Sequence, residues 1–486
     1  MKLRDYQEEG KADLMEFLLK SRVQKGIFVA PVGTGKALIT AVMAEMVNEP
    51  ILVIQPTKEL LLQNFDKAQK FGMEPTIYSA GLKSKEISDI TYATPMSIVK
   101  NPEFFKKFNY VCIDESHLGL TNTVVGSRVI KKSKLAEFFE HIKPKKIIGL
   151  TATPIQLVSM GFAGSALKMM NRSARSFWNK AEIFHITQIP DVHKDYWSNI
   201  TIRQLAPENN MLELNSSGSE FKEDSIIQQY DANDLMKVIS EEYRSCLKKG
   251  RKSILTFVPS IKHANDLKEY LKDGSEVVSS LTPDSERDRI INDFKLGKIK
   301  HLINCMLLTA GFDHPSLDTI IMARETNSFV LYYQIFGRLV RPLMKDGKII
   351  IQDDLFIDLT NNTNRFGDIR NITFEKHDYI NGWGMFNGES LLTGYSVGNW
   401  EMPQRDYLIK KYEESKLEAS RPKSMGYLKM RLPFGKYKGK TLEEVAKKDM
   451  RYLTWMYNDV DFSKPWTKEL KNPIERILHE ATIENK

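Results

Sequence analysis

The chain has little cysteine, no long apolar run and no large excess of either charge. Its three cysteines, Cys112, Cys246 and Cys305, stand far apart in 486 residues. That excludes a disulfide scaffold and a cysteine-rich zinc module, and it fits a reducing compartment. The longest stretch without a charge, Ile147 to Leu167, is 21 residues long, enough by length alone to cross a bilayer. It holds Pro154, three glycines and five Ser, Thr or Gln residues, so a buried strand followed by a loop is expected instead. The opening segment Met1 to Glu9 carries three acids and no apolar core, unlike a secretion signal. The expected location is cytoplasmic, with no membrane partner.

Length suggests about three domains at roughly 150 residues each. Lys and Arg exceed Asp and Glu by 70 to 62, a net charge of +8. The surplus is concentrated: residues 421–486 hold 15 basic and 9 acidic side chains, and residues 421–440 hold seven basic and no acidic ones. Such a surface admits a polyanionic partner.

Gly26 to Ala30, Ile51 to Ile54, Tyr110 to Ile113 and Ile147 to Leu150 are continuously apolar. A helical pattern, Ala37 to Val47, lies between the first two. Apolar strands alternating with helices predict a parallel sheet in an α/β domain. Regularity fades over 157–228, which holds turn-rich stretches at 207–210 and 215–219. It returns with strands expected at 253–258, 300–305 and 319–322 and helices at 261–272 and 285–296. The boundaries read as a first α/β domain over 1–156, a connector region over 157–228, a second α/β domain over 229–365, an extension over 366–420 and a basic C-terminal domain over 421–486. Residues 381–400, with five glycines and four aromatics, give no clear structural expectation; 404–420 read as a polar helix.

Ala30-Pro31-Val32-Gly33-Thr34-Gly35-Lys36-Ala37 sits between an expected strand and helix. Glycines there let backbone N–H groups curl around an anion, the helix N-terminus adds a positive dipole, and Lys36 can reach terminal phosphates. The bland alternative is a Gly-rich turn. Two positions depart from the phosphate-loop pattern: Ala30 replaces its first glycine and Ala37 its Ser/Thr. The second loss removes a hydroxyl that ligates Mg²⁺ and leaves the metal to carboxylate, phosphate and water. Asp114-Glu115-Ser116-His117 follows the strand ending at Ile113. Carboxylates at such a strand end face the ligand crevice. One acid, Asp114, can hold Mg²⁺, and Glu115 can orient and deprotonate water for attack on a γ-phosphate. Two solvated acids are the alternative, made less probable by the preceding loop.

Taken in order, these segments resemble superfamily 2 nucleic-acid helicases and translocases of the DEAD/DEAH-like type over residues 1–365. Leu3 to Gln7 resembles the adenine-recognising segment, with Tyr6 and Gln7 at the base. Gln55 to Leu60 and Ala93 to Pro95 resemble strand-backbone contact motifs, with Thr57 and Thr94 as contacts, and Thr151-Ala152-Thr153-Pro154 resembles the segment that couples hydrolysis to movement. Leu255 to Val258, Thr309 to Asp313 and Tyr333 to Pro342 resemble the later motifs. The resemblance implies two RecA-like domains in tandem, ATP and Mg²⁺ as cofactors, Thr309 on the nucleic acid, Gly311 and Asp313 at the nucleotide, and Gln334, Arg338 and Arg341 acting on the phosphates from the second domain. For Arg338 and Arg341 a solvated helix face is the alternative. For each threonine a helix N-cap is nearly as probable. The opening and short connector look most like phage branch-migration helicases and restriction-motor or repair translocases, which places the expected cell as bacterial or phage-infected.

Arg431 to Lys440 interleaves bases with Phe434 and Tyr437. It resembles the small C-terminal domain of exodeoxyribonuclease X-like proteins, expected as a basic α+β domain. Lys436, Lys438 and Lys440 alternate, so on a strand they would share one face and contact DNA; Phe434 and Trp455 are expected in the core. The leading expectation is a monomeric ATP-dependent DNA helicase or translocase acting on forked, branched or single-stranded DNA. An RNA helicase, and a nucleotide-gated clamp with weak ATPase, remain alternatives.

Overall fold

The computed structural model describes residues 3–118, 120–125, 128–159, 165–208, 210–216, 218–308, 312–345, 348–394, 402–420 and 426–484. Thr309 and Gly311, expected at the nucleic acid and the nucleotide, lie outside the described residues.

The chain divides into two compact units, Met1–Arg405 and Asp406–Lys486. The first contains two parallel sheets. One has eight strands in the order Glu182–Ile186, Lys25–Val29 (β1), Lys146–Thr151, Tyr110–Ile113, Ile51–Ile54 (β2), Ile90–Ala93, Thr76–Ser79 and Ser84–Lys85. All neighbours are parallel except the last pair. The other has six parallel strands in the order Asn199–Gln204, Asp353–Asp358, Thr319–Met322, Ile254–Phe257, His301–Asn304 and Glu276–Val278. These are the two RecA-like lobes.

The strands are apolar on both faces because helices cover both sides: every residue of β2 and of Lys146–Thr151 is buried. Each large aliphatic buried this way contributes about 1.5–3 kcal/mol. The helix α1, Asp5–Lys20, precedes β1. The helix α2, Lys36–Val47, starts after left-handed Gly35 and buries Leu38 through Met43. The helix α3, Lys58–Lys70, is amphipathic and buries only Leu61, Asn64 and Ala68.

The region expected as a connector also contributes strands to both sheets. Residues 157–228 supply Glu182–Ile186 to the edge of the first sheet and Asn199–Gln204 to the edge of the second. Edge strands pair on one side only, so they need fewer apolar residues and give a weaker pattern. Farther on, Ile372–His377, Gly382–Asn387 and Ser390–Leu391 form a three-stranded antiparallel sheet. Tyr395 and Trp400 lie outside the described residues.

The second unit is mainly helical: Leu442–Lys448, Met450–Asp459 and Lys471–Glu484 enclose a core of Leu432, Leu442, Val445, Leu453, Met456, Leu470, Ile474 and Ile477. An antiparallel bridge joins Arg431 to Thr441. Thr441 and Glu444 then form a capping box that starts the next helix. Among the described residues no helix is long and apolar enough to cross a membrane.

Candidate nucleotide and nucleic-acid site

Strand register builds one edge of the site. Val29 lies opposite Thr151, Ile54 opposite both Ile113 and Ala93, and Ile113 opposite Gly149. The carboxyl ends of Ile51–Ile54, Tyr110–Ile113 and Ile90–Ala93 are therefore level, and those of β1 and Lys146–Thr151 run two residues further. Residues that follow them (Ala30, Gln55, Thr94 and Asp114) emerge along the crevice where open α/β sheets bind ligands.

The glycine loop is held from three sides. Gly33 and Gly35 have φ of 79° and 87°, a left-handed backbone that other residues enter at a cost. Within the loop, the Thr34 hydroxyl donates to the Pro31 carbonyl at 2.6 Å and Lys36 Nζ donates to the Ala30 carbonyl at 3.3 Å. From α1, the Tyr6 hydroxyl and Gln7 Nε2 both donate to the Thr34 carbonyl, at 3.2 and 2.9 Å, while Gln7 Oε1 accepts from the Arg4 N–H at 3.0 Å. From the second lobe, Tyr333 accepts the Val32 N–H at 3.2 Å. Ala37 stands in the first turn of α2.

Asp114 is buried, accepting from Asn64 Nδ2 and from the Glu115 N–H, both at 2.9 Å. Burial, reinforced by the neighbouring Glu115, pushes its pKa up to about 6, with Lys36 pulling the other way. Glu115 has a left-handed φ of 44° that turns its carboxylate toward His117, at 3.5 Å from Nδ1. The same Nδ1 is 3.0 Å from Thr151 Oγ1, which also accepts the Thr153 N–H at 3.0 Å. A chain of polar contacts thus joins the acidic pair to the segment expected to couple it. Burial and then Lys36 bring His117 down to about 4, so its ring is neutral.

The second lobe presents its cations here. Gly337 packs directly on Val32: an added Cβ would come within 2.6 Å of Val32 Cγ2. Arg341 Cγ and Val340 Cγ2 lie 3.9 and 3.4 Å from where a Cβ on Gly33 would stand. Arg341 forms an ion pair with Asp313, and Arg338, buried, donates to the Phe312 carbonyl. Burial and then the repulsion of Arg341 bring the Arg338 guanidinium down to about 9, opposed by Glu115 and Asp313. The solvated-face alternative for the arginines does not describe this arrangement. Gln334 lies on the helix Phe329–Phe336 and is half-buried.

The expected nucleic-acid contacts sit differently. Thr57 caps α3, its Oγ1 accepting from the Leu60 N–H at 3.2 Å. Thr94 bonds sideways to Ser79 and Ser97, at 3.2 and 2.8 Å. In the second unit, Lys436 to Gly439 form a turn rather than a strand, so the three lysines do not share a strand face. The Pro433-Phe434-Gly435 sequence, with Gly435 at φ 80°, breaks the extension. Lys436 pairs with Asp449 at 3.1 Å and Lys440 with Glu444 at 3.7 Å. The core expectation for Trp455 is also corrected, since it is 47% exposed; Phe434 is partly buried against the core.

Three residues not singled out in the sequence belong to this cleft. Asn64 fixes Asp114. Lys67, one turn along the same face of α3, is desolvated to a lowered pKa and feels Asp313, Arg341, Asp114 and Lys36. Trp197 is fully buried, and its Nε1, 3.8 Å from the position of a Cβ on Gly33, has no hydrogen-bond partner in the described residues. A buried N–H beside a phosphate loop is a donor awaiting an acceptor. A buried asparagine on an otherwise amphipathic helix was the one signal available in advance.

A triphosphate fits these groups: loop N–H groups, Lys36, two arginines and an indole donor. Among the described residues no cluster of three or more His, Cys, Asp or Glu side chains could hold a metal by itself. Mg²⁺ would therefore rest on Asp114, phosphate oxygens and water.

Two RecA-like lobes with a glycine loop on one and arginines on the other define the helicase class of α/β protein. Family models agree: residues 1–156 match the type III restriction enzyme res subunit, 233–342 the helicase conserved C-terminal domain and 432–461 the exodeoxyribonuclease X-like C-terminal domain. The chain belongs to the superfamily 2 helicases and carries an exodeoxyribonuclease X-like C-terminal domain. It is 23% identical over 358 residues to IRC3 of Saccharomyces cerevisiae, provisionally assigned as an ATP-dependent helicase, covering 70% of this chain and 49% of that protein. It is 24% identical over 331 residues to a 51.5 kDa protein of a Lactococcus phage, covering 67% and 64%. A fragment from Vibrio vulnificus, provisionally assigned as the HsdR subunit of a type I restriction enzyme, superposes with a TM-score of 0.53 at 19% identity, covering 75% of this chain and 66% of that one. The chain spans about half to two thirds of the length of these relatives.

Proposed function

We propose that this protein is an ATP-dependent DNA helicase or translocase that unwinds or branch-migrates forked and branched DNA. The observation that carries the reading is the approach of Arg341 and Val340 to Gly33, within 3.9 Å of where its Cβ would stand. Lys36 and the loop N–H groups hold the phosphates, and Tyr6 and Gln7 meet the base. Asp114 would hold Mg²⁺, which would neutralise phosphate charge. Glu115 orients water, and Gln334, Arg338 and Arg341 act on the γ-phosphate from the other lobe, with Asp313 steadying Arg341. Neither lobe alone surrounds the ligand. Binding therefore favours closure, because a ligand shifts an equilibrium through its differential affinity for the two states. Thr151 and Thr153, linked through His117 to Glu115, carry the change toward the nucleic-acid side, where Thr57 and Thr94 grip backbone phosphates. Lys436, Lys438 and Lys440 add a sequence-independent grip. The exodeoxyribonuclease-like module supports DNA rather than RNA.

Strand separation of a labelled fork, a four-way junction and an RNA duplex, with and without ATP, tests this reading. ATP-dependent opening of the two DNA substrates is expected; opening of the RNA duplex alone would assign the protein to RNA.

The missing hydroxyl at Ala37 favours a second reading, a nucleotide-gated clamp that hydrolyses slowly. Ala37→Thr is expected to lower the Mg²⁺ concentration needed for half-maximal ATPase and to raise saturated turnover by no more than about 150-fold, the upper worth of one hydrogen bond to a charged group. A far larger rise in steady-state ATPase would favour the clamp.

A further inference from the structure

The second unit leaves two large aromatics in water while burying their neighbours. Trp455 is 47% and Trp466 52% exposed, whereas Leu453 and Met456, on the same helix as Trp455, are fully buried. A tight turn, Phe434 to Tyr437, ties the two tryptophans together. On one side the Phe434 ring meets Trp466 edge-on, with centroids 4.9 Å apart. On the other, Tyr437 meets Tyr452 edge-on at 5.0 Å, and Tyr452 tilts against Trp455 at 5.3 Å. Gly435 lets the turn pass this close, since a Cβ there would collide with the Tyr452 hydroxyl, and that hydroxyl accepts the Lys436 N–H at 3.2 Å. The result is a supported aromatic surface whose outer rings are open.

Cations flank it. Lys464 Nζ lies 5.7 Å from the Trp466 ring centre. Arg451 precedes Trp455 by four residues on the same helix and shares its face. Lys438, exposed in the turn, forms no ion pair among the described residues, unlike Lys436 and Lys440. Open aromatic faces beside available cations suit unpaired bases and their phosphates. A duplex offers phosphates but keeps its base faces stacked.

We infer that this unit binds single-stranded nucleic acid by stacking unpaired bases on Trp455 and Trp466, with Lys438 and Arg451 on the flanking phosphates. The inference rests on the nucleic-acid reading above and deepens it: the domain holds a strand after separation rather than the duplex before it.

The test is equilibrium binding of the full chain, without nucleotide, to labelled oligothymidylate, oligouridylate and a blunt DNA duplex. Trp455→Ala is expected to weaken single-strand binding about five- to a hundredfold, the span of one base–aromatic stack, and to leave duplex binding unchanged. Trp455→Phe keeps a ring and should restore most of the affinity. Trp455→Leu keeps apolar volume without an aromatic face and should show the same loss should alanine disturb the helix. The thymidylate and uridylate arms report whether the stacked strand is DNA or RNA. Wild-type binding that is indifferent to Trp455→Ala and Trp455→Leu, or that falls equally for duplex and single strand, overturns the inference and leaves the proposed function standing. Wild-type chain that binds none of the three overturns both.

Discussion

Arg341→Ala is expected to cut DNA-stimulated ATP turnover by about 10³-fold or more, the range of an arginine finger, while a fluorescent ATP analogue still binds. The guanidinium is already placed: Asp313 holds it, and its stem lies against the glycine loop of the other lobe. It costs little reorganisation during the reaction, which is why its loss should fall on kcat rather than on binding. Arg338 is a less clean target. It is buried and bonded to the Phe312 carbonyl, so removing it also strips a partner from a buried polar group. Steady-state ATPase over a range of ATP concentrations separates the outcomes. A rise in KM with kcat intact would mean that Arg341 binds nucleotide but does not act on the transition state.

Glu115→Gln is expected to lower hydrolysis by about 10²–10⁴-fold, the usual worth of a positioned base, and to prolong the ATP-bound state. The amide keeps the shape and loses the base. Three contacts fix the carboxylate: the left-handed backbone at Glu115, the approach to His117 and the bond from His117 to Thr151. Single-turnover hydrolysis with excess enzyme reads the chemical step alone. Turnover unchanged by the substitution would move the role of base elsewhere.

Much of this was legible in the residues, and the reason is burial. The strands at Ile51, Tyr110 and Thr319 are apolar on both faces, so their limits follow from composition. The loop from Ala30 to Ala37 shows itself because a backbone that must curl around an anion needs glycine at fixed places. Edge strands are less legible. Glu182–Ile186 pairs with β1 alone and leaves Glu182 exposed, so its pattern blends into that of a loop. Lys67 and Trp197 could not be found by spacing, because their place in the cleft depends on how α3 and the second lobe pack. The turn at Lys436 went astray for a local reason: alternation of lysines mimics a strand, while Gly435 beside Tyr452 dictates a bend. Trp455 went astray for a tertiary one, since a helix face buries Leu453 and Met456 and leaves the next large ring outside.

The central claim is that one nucleotide is held by both lobes, so that its binding and hydrolysis change their separation. In the structure the lobes already touch through Val32, Tyr333 and Gly337. Single-molecule energy transfer between fluorophores on the two lobes measures that separation directly. A closed population is expected that grows with a non-hydrolysable ATP analogue and shrinks with ADP. The same distance distribution with no nucleotide, ADP and the analogue would contradict it.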